Sequence, residues 1–143
     1  VSSSTRAALA RLALALLAIA GLAGCGRSER EQFEAVEAAV QRSRDAPKER
    51  PDEIRAAADK LAVLEVDHPK AISARDACAT AEHDRAELFE LVQKTQADVR
   101  SATAQTDPTL LAERFKKIDD LQERLPARHD LCSQRMSELW TGR

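Results

Sequence analysis

The sequence predicts an all-α protein, an antiparallel bundle of about four helices whose third and fourth members form a long, disulfide-clamped hairpin. Three observations predict it. Apolar residues recur at three- and four-residue spacing through four stretches of the chain. Helix-start and helix-stop signals separate those stretches, at Ala46-Pro47, Pro51, Asp67-His68-Pro69 and Thr106-Asp107-Pro108. Between Arg27 and Thr141 there is no glycine, the four in the sequence being Gly21, Gly24, Gly26 and Gly142. Tight two-residue hairpins, phosphate-cradling loops and nucleophile elbows all lean on glycine at positive φ, so its absence weighs against each of them.

The first helix opens at Ser28-Glu29-Arg30-Glu31, a capping-box pattern, and carries a narrow stripe of Phe33, Val36 and Val40 to its end near Asp45-Ala46-Pro47. The second has proline at its first position, with Asp52 and Glu53 where the helix dipole favours negative charge. Its buried face is Ile54, Ala57, Ala58, Leu61 and Leu64. The third meets no breaker from Pro69 to about Thr103, and Cys78, Ala81, Arg85, Leu88, Val92, Thr95, Val99 and Ala102 make its seam. The fourth starts at Asp107-Pro108 and turns Leu111, Phe115, Ile118, Leu121 and Leu125 inward. Pro126 interrupts it at a cost of about 3 kcal/mol, but Cys132, Met136 and Leu139 continue the seam nearly in phase, so a kinked helix is expected.

Upstream of the bundle stand Arg6 and Arg11, no acidic residue, and then an apolar run from Leu12 to Leu22. Its eleven residues fall short of the about 20 that span a bilayer and read as a removed signal. Leu22-Ala23-Gly24-Cys25 then resembles the lipobox of bacterial lipoproteins. The resemblance covers residues 1–25 and implies cleavage before Cys25, diacylglycerol on its sulfur and acylation of its new amino group. That divides the chain into a signal over 1–24, a lipidated cysteine with a short tether over 25–28, and a bundle domain over 29–143. The lipid would hold the domain close to a membrane face. Gly26 in place of aspartate points, by the enterobacterial sorting rule, to the outer membrane and the periplasm.

Removing the signal takes two of the 22 basic residues and none of the 24 acidic ones, leaving a net charge near −4. Neither nucleic acid nor anionic headgroups suit that balance. With no tyrosine, and only Phe33, Phe89, Phe115 and Trp140 in the domain, a base- or sugar-stacking platform is not expected.

Chemistry centres on two cysteines. Cys78 lies 27 residues before Gln105, the centre of the third turn, and Cys132 lies 27 after it. Equal offsets in an antiparallel hairpin bring them to one height, on facing seams, where Ala74, Ala77 and Ala81 permit close approach. The same register sets Val92 opposite Ile118, Val99 opposite Leu111 and Glu82 opposite Arg128. In an oxidising compartment an even pair forms a structural disulfide, here closing a 54-residue loop for about 4 kcal/mol. The alternatives are two free thiols or a zinc or copper(I) site built from Cys78, Glu82, His129, Cys132 and Met136, though that spacing matches no standard motif. His68 and His83 read as a helix-boundary residue and a surface residue.

Arg85 falls on the seam opposite Leu125 and needs a carboxylate or free carbonyls, unless its head reaches water; the functional reading is a polar notch for a partner's acidic group. No pair of acids stands out as a general acid and base, and no cofactor is implied. The expected function is a non-enzymatic, membrane-tethered module that docks another envelope protein through its outer faces or through the hairpin tip around Ser101 to Asp107. A metal-binding lipoprotein and an inhibitor of a periplasmic enzyme are the alternatives.

Overall fold

The computed structural model describes residues 26–101 and 107–141, and these form four helices: α1 (Glu29–Asp45), α2 (Pro51–Ala62), α3 (Pro69–Arg100) and α4 (Pro108–Trp140). The expected signal over 1–24, Cys25 and most of the third turn lie outside the described residues.

Each start is set by its predicted signal. Ser28 and Glu31 close a full capping box, the Glu31 carboxylate accepting from the Ser28 N–H at 2.7 Å while the Ser28 hydroxyl accepts from the Glu31 N–H at 3.3 Å. The Ser28 N–H, and the Ser28 hydroxyl donating to the same carboxylate at 2.9 Å, hold the Glu31 carboxyl below the usual carboxylate range. Pro51, Pro69 and Pro108 occupy the first turns of the other three helices, where a missing N–H costs nothing. His68 caps α3 with its ring nitrogen and Asp107 caps α4 with its carboxylate. Helix α2 ends at Ala62, and Leu64 then packs against the core from the segment leading to α3. Helix α4 runs through Pro126 without a break. The Gln122 carbonyl loses its helical donor there, but both residues are exposed and water can supply one.

Contacts fix the directions. Gln32 near the start of α1 bonds the chain at Asp67 and His68 just before α3, while Ser43 near its end meets Arg85, so α1 and α3 run the same way. Arg55 pairs with Glu90, and Arg75 donates to the Leu64 carbonyl, so α2 runs against α3. Helix α4 runs against α3 as well, giving an up-down-up-down bundle built on α3.

The helices differ in length, and this shapes the molecule. At about 1.5 Å per residue, the 32 residues of α3 extend about 48 Å, whereas the 17 of α1 and 12 of α2 cover about half of that. The α1–α2 turn lies level with Gln93, whose side chain donates to the Glu49 carbonyl at 2.8 Å. Below this level a four-helix core gathers Phe33, Val36, Leu61, Ala74, Cys78 and Leu139. Phe33 sits at its foot, edge-on to His68 at 4.9 Å and to Trp140 at 5.7 Å. At and just below this level α3 and α4 close around a smaller cluster of Leu88, Ile118 and Leu121, and above it they continue alone among the described residues.

Candidate functional site

The predicted clamp is present. Cys78 and Cys132 form a disulfide with Cα atoms 4.6 Å apart, closer than packed helix axes ordinarily stand. Alanine makes the approach possible, with Ala74 and Ala81 wholly buried beside it. Ion pairs show that the register holds along the hairpin. Asp84 and Arg124 lie 6 and 8 residues tipward of the two cysteines, and Asp98 and Arg114 lie 20 and 18, so α3 and α4 advance in step.

The pairing at Glu82 differs from expectation. Glu82 is wholly buried and meets Arg85 on its own helix, Oε2 to Nε at 2.9 Å, whereas Arg128 reaches Asp84 at 3.8 Å. Position 84 points towards α4, while the Glu82 carboxylate turns to Arg85 on its own helix, which the offset alone did not resolve. Arg85 also donates to the Ser43 carbonyl at 2.5 Å, in the last turn of α1. It is therefore ion-paired to a carboxylate and hydrogen-bonded to a free carbonyl, though its Nε and the Glu82 oxygens make no hydrogen bond among the described residues, and the notch reading gives way to an internal clasp holding the end of α1 against α3.

The metal alternative loses its thiolates to the disulfide and its carboxylate to Arg85. His129 is half-buried, and Met136 packs on the core. Among the described residues no three His, Cys, Asp or Glu side chains gather as a ligand set. His68 caps α3 and His83 stands 3.5 Å from Asp59 on the surface.

Open features mark the two poles of the bundle. At the foot, beside Gly26, a hollow of about 570 Å³ with a mixed polar and apolar lining is bordered by Arg27, Val63, Asp67 and Arg75. At the other pole, beyond the reach of α1, lies an apolar groove of about 310 Å³. Val92, Thr95 and Val99 of α3 and Phe115 and Ile118 of α4 line it, with Gln96 and Arg100 at the rim. Val99 and Phe115 were expected on the closed seam, yet they are 53% and 51% exposed because no third helix among the described residues covers them at this height. Thr95 is only 4% exposed, and its hydroxyl has no hydrogen-bond partner among the described residues. Arg100 makes no ion pair among them. Sequence reasoning missed this groove, whose signal was the mismatch between a 17-residue α1 and a 32-residue α3 bearing apolar residues to its end.

Together these features define a class by architecture: an all-α bundle with a disulfide-clamped hairpin whose far half projects beyond its short companion helices. Comparison with protein-family models, curated proteins and solved structures finds no match to this chain.

Proposed function

We propose that the protein is a lipid-anchored component of a bacterial cell envelope, facing the periplasm from the outer membrane, that acts without catalysis as a docking module for another envelope protein. The observation that carries this reading is the pairing of opposite poles. Gly26, which follows the lipobox cysteine, lies at the foot of the bundle near Asp67, and the uncovered apolar groove lies at the far end of the hairpin. A tether at Cys25 would hold the foot at the membrane and present the groove away from it. No described helix is long and apolar enough to cross a membrane, so on this reading the acyl chains supply the attachment.

Native mass spectrometry of the tagged protein, extracted gently from its host's membranes, tests the reading. The expected species lacks residues 1–24, carries acyl chains, is two hydrogens lighter than its reduced form and retains a second polypeptide. An unacylated species, or a reduced one bearing a metal, overturns it.

A further inference from the structure

Resting on the docking-module reading, we propose that the tip groove seats one amphipathic helix of two to three turns from a different polypeptide, in line with α1 and with its carboxyl end or an acidic side chain at Arg100.

The groove continues an interface the protein already uses. On α3 Arg85, ion-paired with Glu82 one turn below, reaches α1 and clasps its last turn. Three-and-four spacing carries the line from Arg85 on to Phe89, Val92, Gln96 and Val99 after α1 has ended. Ile118 and Phe115 of α4 form the opposite wall, as α4 flanks the seat of α1 lower down. The upper seat is apolar, and no helix among the described residues lies in it.

A single helix fits better than two. The face of α3 that meets α2 runs through His83 and Glu90, which pair with Asp59 and Arg55. Its continuation is Ala97 and Ser101, small or polar and exposed, so nothing apolar is left bare where α2 stops. From Val92 to Arg100 the groove runs about 12 Å, slightly more than two turns of helix. Direction follows from charge. Arg100 stands at the distal end without an ion pair among the described residues, and a helix presents its carbonyl dipoles and negative end at its C-terminus.

Other occupants fit worse. The chain's own run Leu12–Leu22 leaves from the foot, about 35 Å below Val92. Bridging that height takes about ten extended residues, which spends the apolar run as linker. A second copy lying parallel is held off by α1, which stands proud of the same face just below the groove. A copy lying antiparallel points its foot the opposite way, which two copies tethered in one leaflet cannot do.

Photo-crosslinking in the host tests the proposal, with a benzophenone amino acid placed in the full chain at Gln96 in the groove, at Lys94 on the far face of α3, or at Lys60 on α2. The expected result is a crosslink from Gln96 to one other polypeptide, mapped by mass spectrometry to an amphipathic helical segment, and little from Lys94 or Lys60. Adding Val99→Asp should lower that yield about tenfold or more, the equivalent of losing one buried aliphatic contact, with circular dichroism and the disulfide unchanged. Crosslinks from Lys94 or Lys60 but not Gln96 overturn the groove while leaving a docking module. A Gln96 crosslink to a second copy overturns the assigned occupant. Silence at all three positions overturns the groove and the docking function together.

Discussion

Replacing Arg85 with alanine should destabilise the bundle by about 3 kcal/mol, the lower end of the cost of breaking a buried ion pair by removing one partner. Glu82 is wholly buried, and the guanidinium 2.9 Å away is the countercharge the structure gives it. The lower end applies because the Arg85 side chain remains 17% exposed, so some water can enter when it is truncated. The Ser43 carbonyl loses a donor in the same change, freeing the last turn of α1. Such a loss corresponds to a roughly 150-fold smaller folding constant and leaves a typical domain folded. The diagnostic comparison is the double variant Glu82→Leu/Arg85→Met, which removes both charges, keeps apolar volume and should recover most or all of the loss. Urea unfolding followed by far-ultraviolet circular dichroism, with the disulfide intact in every variant, measures each midpoint. An Arg85→Ala loss below about 1 kcal/mol, or a double variant no more stable than the single, would refute the clasp as the restraint on α1.

Three further outcomes follow from the same structure. Replacing both Cys78 and Cys132 with serine should cost about 4 kcal/mol in the chain-entropy account, read as a fall in the urea midpoint that added reductant reproduces only in the parent protein. Phe33→Ala removes a wholly buried ring lodged between His68 and Trp140 and should cost about 3–5 kcal/mol, against about 0.5 kcal/mol or less for Val99→Asp on the open tip. Because Glu31 is held below the usual carboxylate range, its capping contribution is complete above that range and disappears as pH falls through its own lowered value. Acid titration of helicity should therefore show a decline, below about pH 4, that is smaller in Glu31→Gln.

The elements that could be read from sequence were those written in local chemistry. Ser28 with Glu31, and prolines 51, 69 and 108 at helix starts, specify where the chain turns, because caps and missing donors act within a few residues. The clamp was legible for a different reason: a hairpin of two unbroken helices has one free parameter, the centre of its turn, and Gln105 supplied it. Side-chain direction was not. Equal offsets set Glu82 against Arg128, but the turn of the helix gives Glu82 to Arg85 and leaves Asp84 for Arg128. The Gln32 bridge to Asp67 and His68 was hidden as well, since it depends on how α1 meets the turn before α3, a contact 35 residues distant in sequence. Phe115 and Val99 misled most. Their spacing is that of a buried seam, and only the relative heights of α1 and α3 show that the seam is open there.

The disulfide also sets how the molecule carries load. Both ends of the described chain leave from the same pole, where Lys70 at the start of α3 bonds the Thr141 carbonyl at 2.7 Å. Tension between those ends peels α1, α2 and the last turns of α4, and then meets the sulfur–sulfur bond. From there the force passes directly from Cys78 to Cys132 and bypasses everything between them. The projecting half of the hairpin, with its groove, lies wholly within that bypassed loop, and its shape is therefore indifferent to a pull that unravels the rest.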